Sequence, residues 1–241
     1  MLAAGHGRRL RPLTRFLPKA LCPIANVPLV DLAIERIAGL GDVAVNVHDH
    51  RDAMEEHLAG RAHLSVEEGE PLGTAGALGQ LRGWLDGRAA LVVNADVWCP
   101  GSLASFVATW DGARIRLLLV GDDALQPRSR VAGALLPWSA VAGLEATPSG
   151  LYEVSWRDAA GRGALDVVRH DGAFVDCGTP EQYLAANLQA SGGANVVGAG
   201  AKVDGHIERT VVWADSVVHL SESLVDAIRF HGDDTVLVRG R

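Results

Sequence analysis

Cysteine is scarce in this chain: positions 22, 99 and 177 hold the only three among 241 residues, and they stand far apart. That spacing offers neither a disulfide framework nor a close zinc-binding set, and it suits a reducing compartment. No apolar run approaches the roughly 18 residues of a membrane-spanning helix. No signal-peptide pattern precedes the first motif, so a cytoplasmic location is expected. Positive charge is in deficit: 22 Lys and Arg face 29 Asp and Glu, a net charge of −7, which argues against general binding to nucleic acid. Two familiar phosphate motifs are missing as well. There is no G-x-x-x-x-G-K-[ST] loop. Gly5 and Gly7 lack the third glycine of a dinucleotide fingerprint, and Pro12 would interrupt the helix which that fingerprint opens. What remains is an ordinary globular balance, 48% hydrophobic and 21% charged, enough for one sizeable core or one domain with a small appendage.

Against the acidic average, the N-terminus is a local exception. Gly5 and Gly7 leave backbone N–H groups uncovered for close approach by an anion. Arg8, Arg9 and Arg11 add fixed positive charge, and Lys19, after the restrictive Pro18, is expected to be a mobile point charge. Together they point to a small anionic ligand. Only three residues separate Met1 from Gly5, whereas a strand before such a loop usually has about five. The expectation is either a start a few codons upstream or an abnormally short first strand.

The apolar periods alternate along most of the chain. Leu29, Leu32, Ala33, Ile37 and Leu40 predict a helix, and Val43 to Val47 a strand. Helices are expected at 52–58, 74–85 and 103–110, and strands at 63–67, 91–93 and 115–120. This alternation predicts an α/β fold with an open, mostly parallel Rossmann-like sheet. Residues 121–170 are less periodic, with a strand expected from Leu151 to Trp156. Thr179 reads as an N-cap with Pro180 at the first helical position and Gln182 completing a capping box, so a helix is expected to about Gln189. After Gly193 the pattern changes. Val197 and Val203 are six apart, as are Val211 and Val217, with small residues between, which resembles hexapeptide repeats. The expected organisation is an α/β domain over 1–192 and a short left-handed β-helix tail over 193–241. A pair of ordinary terminal strands is the plainer reading.

Asn94-Ala95-Asp96 directly follows the strand at 91–93. Ligands of open α/β sheets sit at the carboxyl ends of strands, where an aspartate can hold a divalent metal or simply cap a helix. Gly73 and Thr74, in Pro71-Leu72-Gly73-Thr74-Ala75-Gly76-Ala77-Leu78, combine a bare backbone with the positive end of a helix.

Taken together, Leu2 to Lys19, Pro71 to Leu78, Asp96 and Gly172 to Glu181 resemble the signatures of the sugar-1-phosphate nucleotidyltransferases, or NDP-sugar pyrophosphorylases. The resemblance implies the nucleotide-diphospho-sugar transferase type of α/β fold. It implies an enzyme that joins an NTP to a sugar 1-phosphate and releases pyrophosphate, with Mg²⁺ held by Asp96 and Asp176. It assigns catalysis to Arg9, Lys19 and Asp96, and substrate contacts to Ala4, Gly5, Gly7, Gly73 and Thr74. On the sugar side it assigns Gly133 and Glu153, although Val154 stands where the family has a lysine, and Arg157 is one candidate to replace it. The wording of residues 71–78 is most similar to mannose-1-phosphate guanylyltransferases. Val93 to Trp98 also resembles N-acetylmuramate-1-phosphate uridylyltransferases, and a glucose-1-phosphate nucleotidyltransferase is a further alternative. A reading of another class is a non-catalytic, nucleotide-binding regulatory homologue. Such proteins usually lose the Arg, Lys or Asp of the site, and all of those are present here. No nucleic-acid or membrane partner is expected, and the tail is expected to be a homo-oligomer contact.

Overall fold

The computed structural model describes residues 1–238. They form two compact units, one made of Met1–Gly5, Ala33–Ala95 and Cys99–Phe174, the other of His6–Leu32, Asp96–Trp98 and residues 175–238.

In the first unit, strand Ala44–Val47 pairs in parallel with His63–Val66. Leu2 bridges Asn46 on one side and Asn94 on the other, both in the parallel sense. Its N–H donates to Val93 O at 2.8 Å, and its carbonyl accepts from Ala95 N–H at 2.9 Å. The α-amino group of Met1 is buried and donates to Ala44 O at 2.8 Å, and burial pushes its pKa down to about 5.

A four-stranded sheet follows in the order Ala90–Val92, Val131–Leu136, Ile115–Val120, Leu165–His170. Here the expected parallel sheet is corrected to a mixed one. Val131–Leu136 runs antiparallel to both of its neighbours, while Ile115–Val120 and Leu165–His170 are parallel. The connections explain it. Residues 121–130 contain no helix and are too few for a crossover, so the chain must return antiparallel. Residues 137–164 reverse the chain a second time, so Leu165–His170 regains the direction of Ile115–Val120. Helix Gly73–Leu85 lays Leu78, Leu81 and Leu85 on a core that includes Val92, Leu117, Leu119 and Leu136. Each such leucine contributes about 1.5–3 kcal/mol by burial.

The segment expected as a strand near Leu151 is helical. Tyr152–Trp156 forms a π-helical turn that runs into helix Arg157–Gly161. Leu151 and Ala159 are buried while Glu153 and Val154 face solvent, which is helical rather than alternating spacing, and Asp158 pairs with Arg162 one turn on. No helix among the described residues is long and apolar enough to cross a membrane.

In the second unit, Val175–Asp176 pairs antiparallel with Val97–Trp98. Helix Pro180–Ala190 starts as its sequence predicts, with Thr179 Oγ1 accepting from Gln182 N–H at 3.3 Å. Beyond it, Val196–Val197, Lys202–Val203 and His206–Glu208 pair, in order and in parallel, with Val211–Val212, Val217–Val218 and Ser223–Val225. Val211–Val212 pairs in parallel again with Ala227–Phe230, which is closed by antiparallel Asp234–Leu237. These rungs are shorter than three hexapeptides, since partners such as Val196 and Val211 are 15 residues apart and His206 and Ser223 are 17 apart. Val212, Val218, Leu224 and Ala227 fill their interior.

Candidate active site

The second unit brings together four of the residues singled out in the sequence. Lys19 is only 7% exposed. Its ammonium donates to Asp96 Oδ2 at 2.9 Å and to Asp176 Oδ1 at 3.2 Å. Burial by itself lowers the pKa of Lys19, but the two carboxylates outweigh it and the net shift is upward, so the group stays charged. The structure corrects the expectation of a mobile lysine: this one is buried and fixed between two acids. Asp96 and Asp176 are brought face to face by the short antiparallel pair, in which Asp176 lies opposite Val97 and Cys177 N–H donates to Asp96 O at 3.3 Å. Both aspartates remain partly exposed, at 41% and 38%, and oxygen atoms are left to face a ligand.

Arg9 stands at the rim, 71% exposed, its Nη2 3.8 Å from Asp176 Oδ2. That pair is too long and too solvated to be worth much to the fold, which leaves the guanidinium available. The preceding turn needs glycine at position 7. Its φ is +59°, and a Cβ there would lie 2.9 Å from Thr14 Cγ2, while Thr14 Oγ1 donates to Gly7 O at 2.9 Å. Gly178, which sequence reasoning passed over, lies close against the same side chains. A Cβ on it would come within 2.9 Å of Arg9 Nη2 and 3.1 Å of Asp176 Oδ1. The signal was in plain view, as Gly178 directly precedes the capping Thr179.

The nucleophile inventory nearby is inert. Burial pushes the thiols of Cys22 and Cys177 up to about 12.

The first unit carries the other predicted residues. Gly73 opens its helix with φ +69°. A Cβ on Gly73 would lie 2.6 Å from Ser149 O, which also accepts from Ala75 N–H at 3.0 Å. Thr74 Oγ1 accepts from Leu151 N–H at 2.8 Å. The turn is therefore clamped to residues 149–151 as well as open to solvent at Gly73. Ala4 is buried, and Gly5 is exposed with nothing near its missing side chain. Gly133 lies in strand Val131–Leu136, where a Cβ would meet Leu103 and Phe106 at ordinary contact distance, so packing does not demand glycine there. Glu153 is on the helical turn rather than on a strand, its carboxylate folded back against Gly150. Val154, where a lysine was expected, is 51% exposed.

The family profile described as nucleotidyl transferase matches residues 1–120. An N-acetylmuramate alpha-1-phosphate uridylyltransferase from Caulobacter vibrioides is 29% identical over 230 residues, covering 78% of this chain and 95% of that protein. A mannose-1-phosphate guanyltransferase from Candida albicans is 39% identical over 110 residues, but the match spans only 30% of its length. Among solved structures, a protein described as a glucose-1-phosphate thymidylyltransferase from Bacillus anthracis shares the fold, with a TM-score of 0.63 at 19% identity over 78% of this chain and 93% of that one. The basic glycine turn, the acid pair that encloses Lys19 and these matches lead to one assignment: the chain belongs to the nucleotidyl transferase family.

Proposed function

We propose that the chain is a sugar-1-phosphate nucleotidyltransferase, catalysing NTP + sugar 1-phosphate → NDP-sugar + pyrophosphate. The observation that carries the reading is the convergence of Lys19 on Asp96 and Asp176 at 2.9 and 3.2 Å, with Arg9 beside them. A sugar-phosphate oxygen is already an anion, so attack on the α-phosphorus needs no general base. The bond to the bridging oxygen breaks, and pyrophosphate leaves with the electron pair. The protein's task is to position the reactants and neutralise charge. Arg9 and the Gly7 turn are suited to hold the departing phosphates. Lys19 keeps two facing carboxylates from repelling one another and adds positive charge where it builds on the phosphates.

Asp96 and Asp176 fit a divalent cation, because their partly exposed carboxylates are hard oxygen donors of the kind Mg²⁺ favours. When bound there, Mg²⁺ supplies charge neutralisation at the phosphate oxygens. Gly73 and Thr74 are proposed to contact the nucleotide, Ala4 and Gly5 its phosphates, and Gly133 and Glu153 the sugar.

The wording of residues 71–78 favours a mannose-1-phosphate guanylyltransferase. The second reading, an N-acetylmuramate-1-phosphate uridylyltransferase, is favoured by the Caulobacter relative, which aligns over 95% of its own length. We further propose a cytoplasmic location, a left-handed winding for the rungs beyond Gly193, and self-association through that tail.

The test is Mg²⁺-dependent pyrophosphate release across a grid of common NTPs with mannose, glucose and N-acetylmuramate 1-phosphates. One productive pair names the substrates. Nucleotide binding with no release for any pair would favour the regulatory homologue instead.

A further inference from the structure

A polar path runs through the interior of the first unit. Asn46 lies in strand Ala44–Val47, whose other members are Ala44, Val45 and Val47. Glu67 is the residue after strand His63–Val66. Both are 3% exposed, and a buried carboxylate is tolerated only where its oxygens are satisfied. Here each one is. Asn46 Nδ2 donates to Glu67 Oε1 at 2.7 Å, and the backbone N–H of Leu72 donates to Oε2 at 2.8 Å. At the other end, Asn46 Oδ1 accepts from Ala3 N–H at 2.7 Å. That bond fixes the amide's orientation, because the Ala3 N–H needs an oxygen, so the NH₂ group must face Glu67.

The two residues are themselves held by the sheet ladder. Asn46 N–H donates to Met1 O at 3.2 Å, and Glu67 N–H donates to Val47 O at 2.8 Å. The bonds to the Glu67 carboxylate, at 2.7 and 2.8 Å, are of the strong, charge-assisted kind. The ends of the path are informative. Ala3 directly precedes Ala4 and Gly5, and Leu72 directly precedes Gly73 and Thr74. An apolar pair would fill the same space without the risk of an unsatisfied buried charge. The polar path joins two backbone segments that an apolar pair could not fix by direction.

We infer that Asn46 and Glu67 are positioning residues whose hydrogen-bond relay, Ala3 N–H to Asn46 to Glu67 to Leu72 N–H, sets residues 3–5 and the Leu72–Gly73 turn in one relation for nucleotidyl transfer. The inference rests on the reaction proposed above.

The relay has a direction, and that direction supplies the test. Glu67→Gln leaves one acceptor for two donors, so one N–H is set against another. Adding Asn46→Asp reverses the central bond: the introduced amide donates to the introduced carboxylate, which still accepts from Ala3 N–H, and the amide oxygen still accepts from Leu72 N–H. Pyrophosphate release is measured for wild type, Glu67→Gln and Glu67→Gln/Asn46→Asp, each normalised to the folded fraction from urea titration. Glu67→Gln is expected to lower kcat/KM by about 10²-fold through misplacement. The second substitution is expected to recover at least about tenfold of that, a coupling far outside additivity. A normal kcat/KM per folded molecule in Glu67→Gln, or a double variant no better than the single, overturns the relay. A wild type silent on every pair overturns the proposed reaction itself, and the positioning role with it. If Glu67→Gln fails to fold, the double variant decides: folding with turnover within about tenfold of wild type supports the relay, and failure to fold overturns it.

Discussion

Lys19 shows how one side chain can serve fold and chemistry together. Its ammonium is buried, yet its pKa is raised because Asp96 and Asp176 outweigh the cost of burial. A folded-state pKa above the unfolded one means that the stabilisation is fully present below the ordinary lysine value of 10.5 and is lost as pH rises through the folded value. Lys19→Met would leave two carboxylates facing each other without a counter-charge. Lys19→Met and Asp96→Asn are each expected to lower pyrophosphate release by at least about 10²-fold, and turnover near wild type in Asp96→Asn would refute its role in the site. The thiols give an independent check on the same interior. Burial raises Cys22 and Cys177 to about 12 and raises Cys99 as well, so almost no thiolate exists at pH 8. An alkylating reagent is expected to label none of the three cysteines in the native chain and all three in urea. Rapid native labelling of Cys22 or Cys177, read by mass spectrometry, would contradict the packing around the acid pair.

Helix Gly73–Leu85 was legible from its leucines but not from its glycines. The sequence marks Gly73 as a nucleotide-loop residue and says nothing about why Gly76 and Gly79 follow at helical spacing. The structure shows that a Cβ at Gly76 would lie 2.3 Å from Thr147 O, and one at Gly79 would lie 2.3 Å from Glu145 O. The stripe lets the backbone of residues 145–149 lie against the helix. Gly83, one turn on, has nothing within 4 Å. The usual helix preference for alanine over glycine, about 1 kcal/mol, should therefore hold at one site and reverse at the others. Gly83→Ala is expected to raise stability by up to about 1 kcal/mol, whereas Gly76→Ala and Gly79→Ala should each lower it by about 1–3 kcal/mol through overpacking. Urea midpoints decide it, and a stabilising Gly76→Ala would refute the close approach. The same scale explains the misread elements. Whether a strand returns parallel depends on the end of the sheet at which its connection re-enters, which the strand's own residues do not reveal. Near Leu151, bonds such as Leu151 N–H to Thr74 Oγ1 come from a segment distant in sequence, so no local pattern announces them.

For the molecule as a whole, the sequence marks a change of pattern after Gly193 but gives no hint of what the later residues support. Their rungs belong to the same compact unit as residues 6–32, which carry Arg9 and Lys19. Trp213 Nε1 donates to Tyr183 Oη at 3.0 Å, and Tyr183 Oη in turn donates to Pro23 O. Asn26 Nδ2 donates to Val197 O at 2.9 Å, and Phe16 stacks on His231 with ring centroids 3.9 Å apart. Trp213 also meets the Phe230 ring edge-on at 5.8 Å. These contacts make the terminal rungs a buttress for the segment that holds Arg9 and Lys19, because Pro23 lies only four residues beyond Lys19. Trp213→Ala should therefore cost about 3–5 kcal/mol, the usual range for emptying a buried aromatic site. Trp213→Phe keeps the ring contacts and loses mainly one hydrogen bond, about 1 kcal/mol. Deleting residues 193–241 would uncover Tyr183 and remove the partners of Phe16 and Asn26 together. The truncated chain is expected to lose pyrophosphate release along with its cooperative thermal transition. A truncated chain that melts cooperatively and turns over at the wild-type rate would show that the rungs are dispensable to the site, and that Lys19 is held by the acid pair alone.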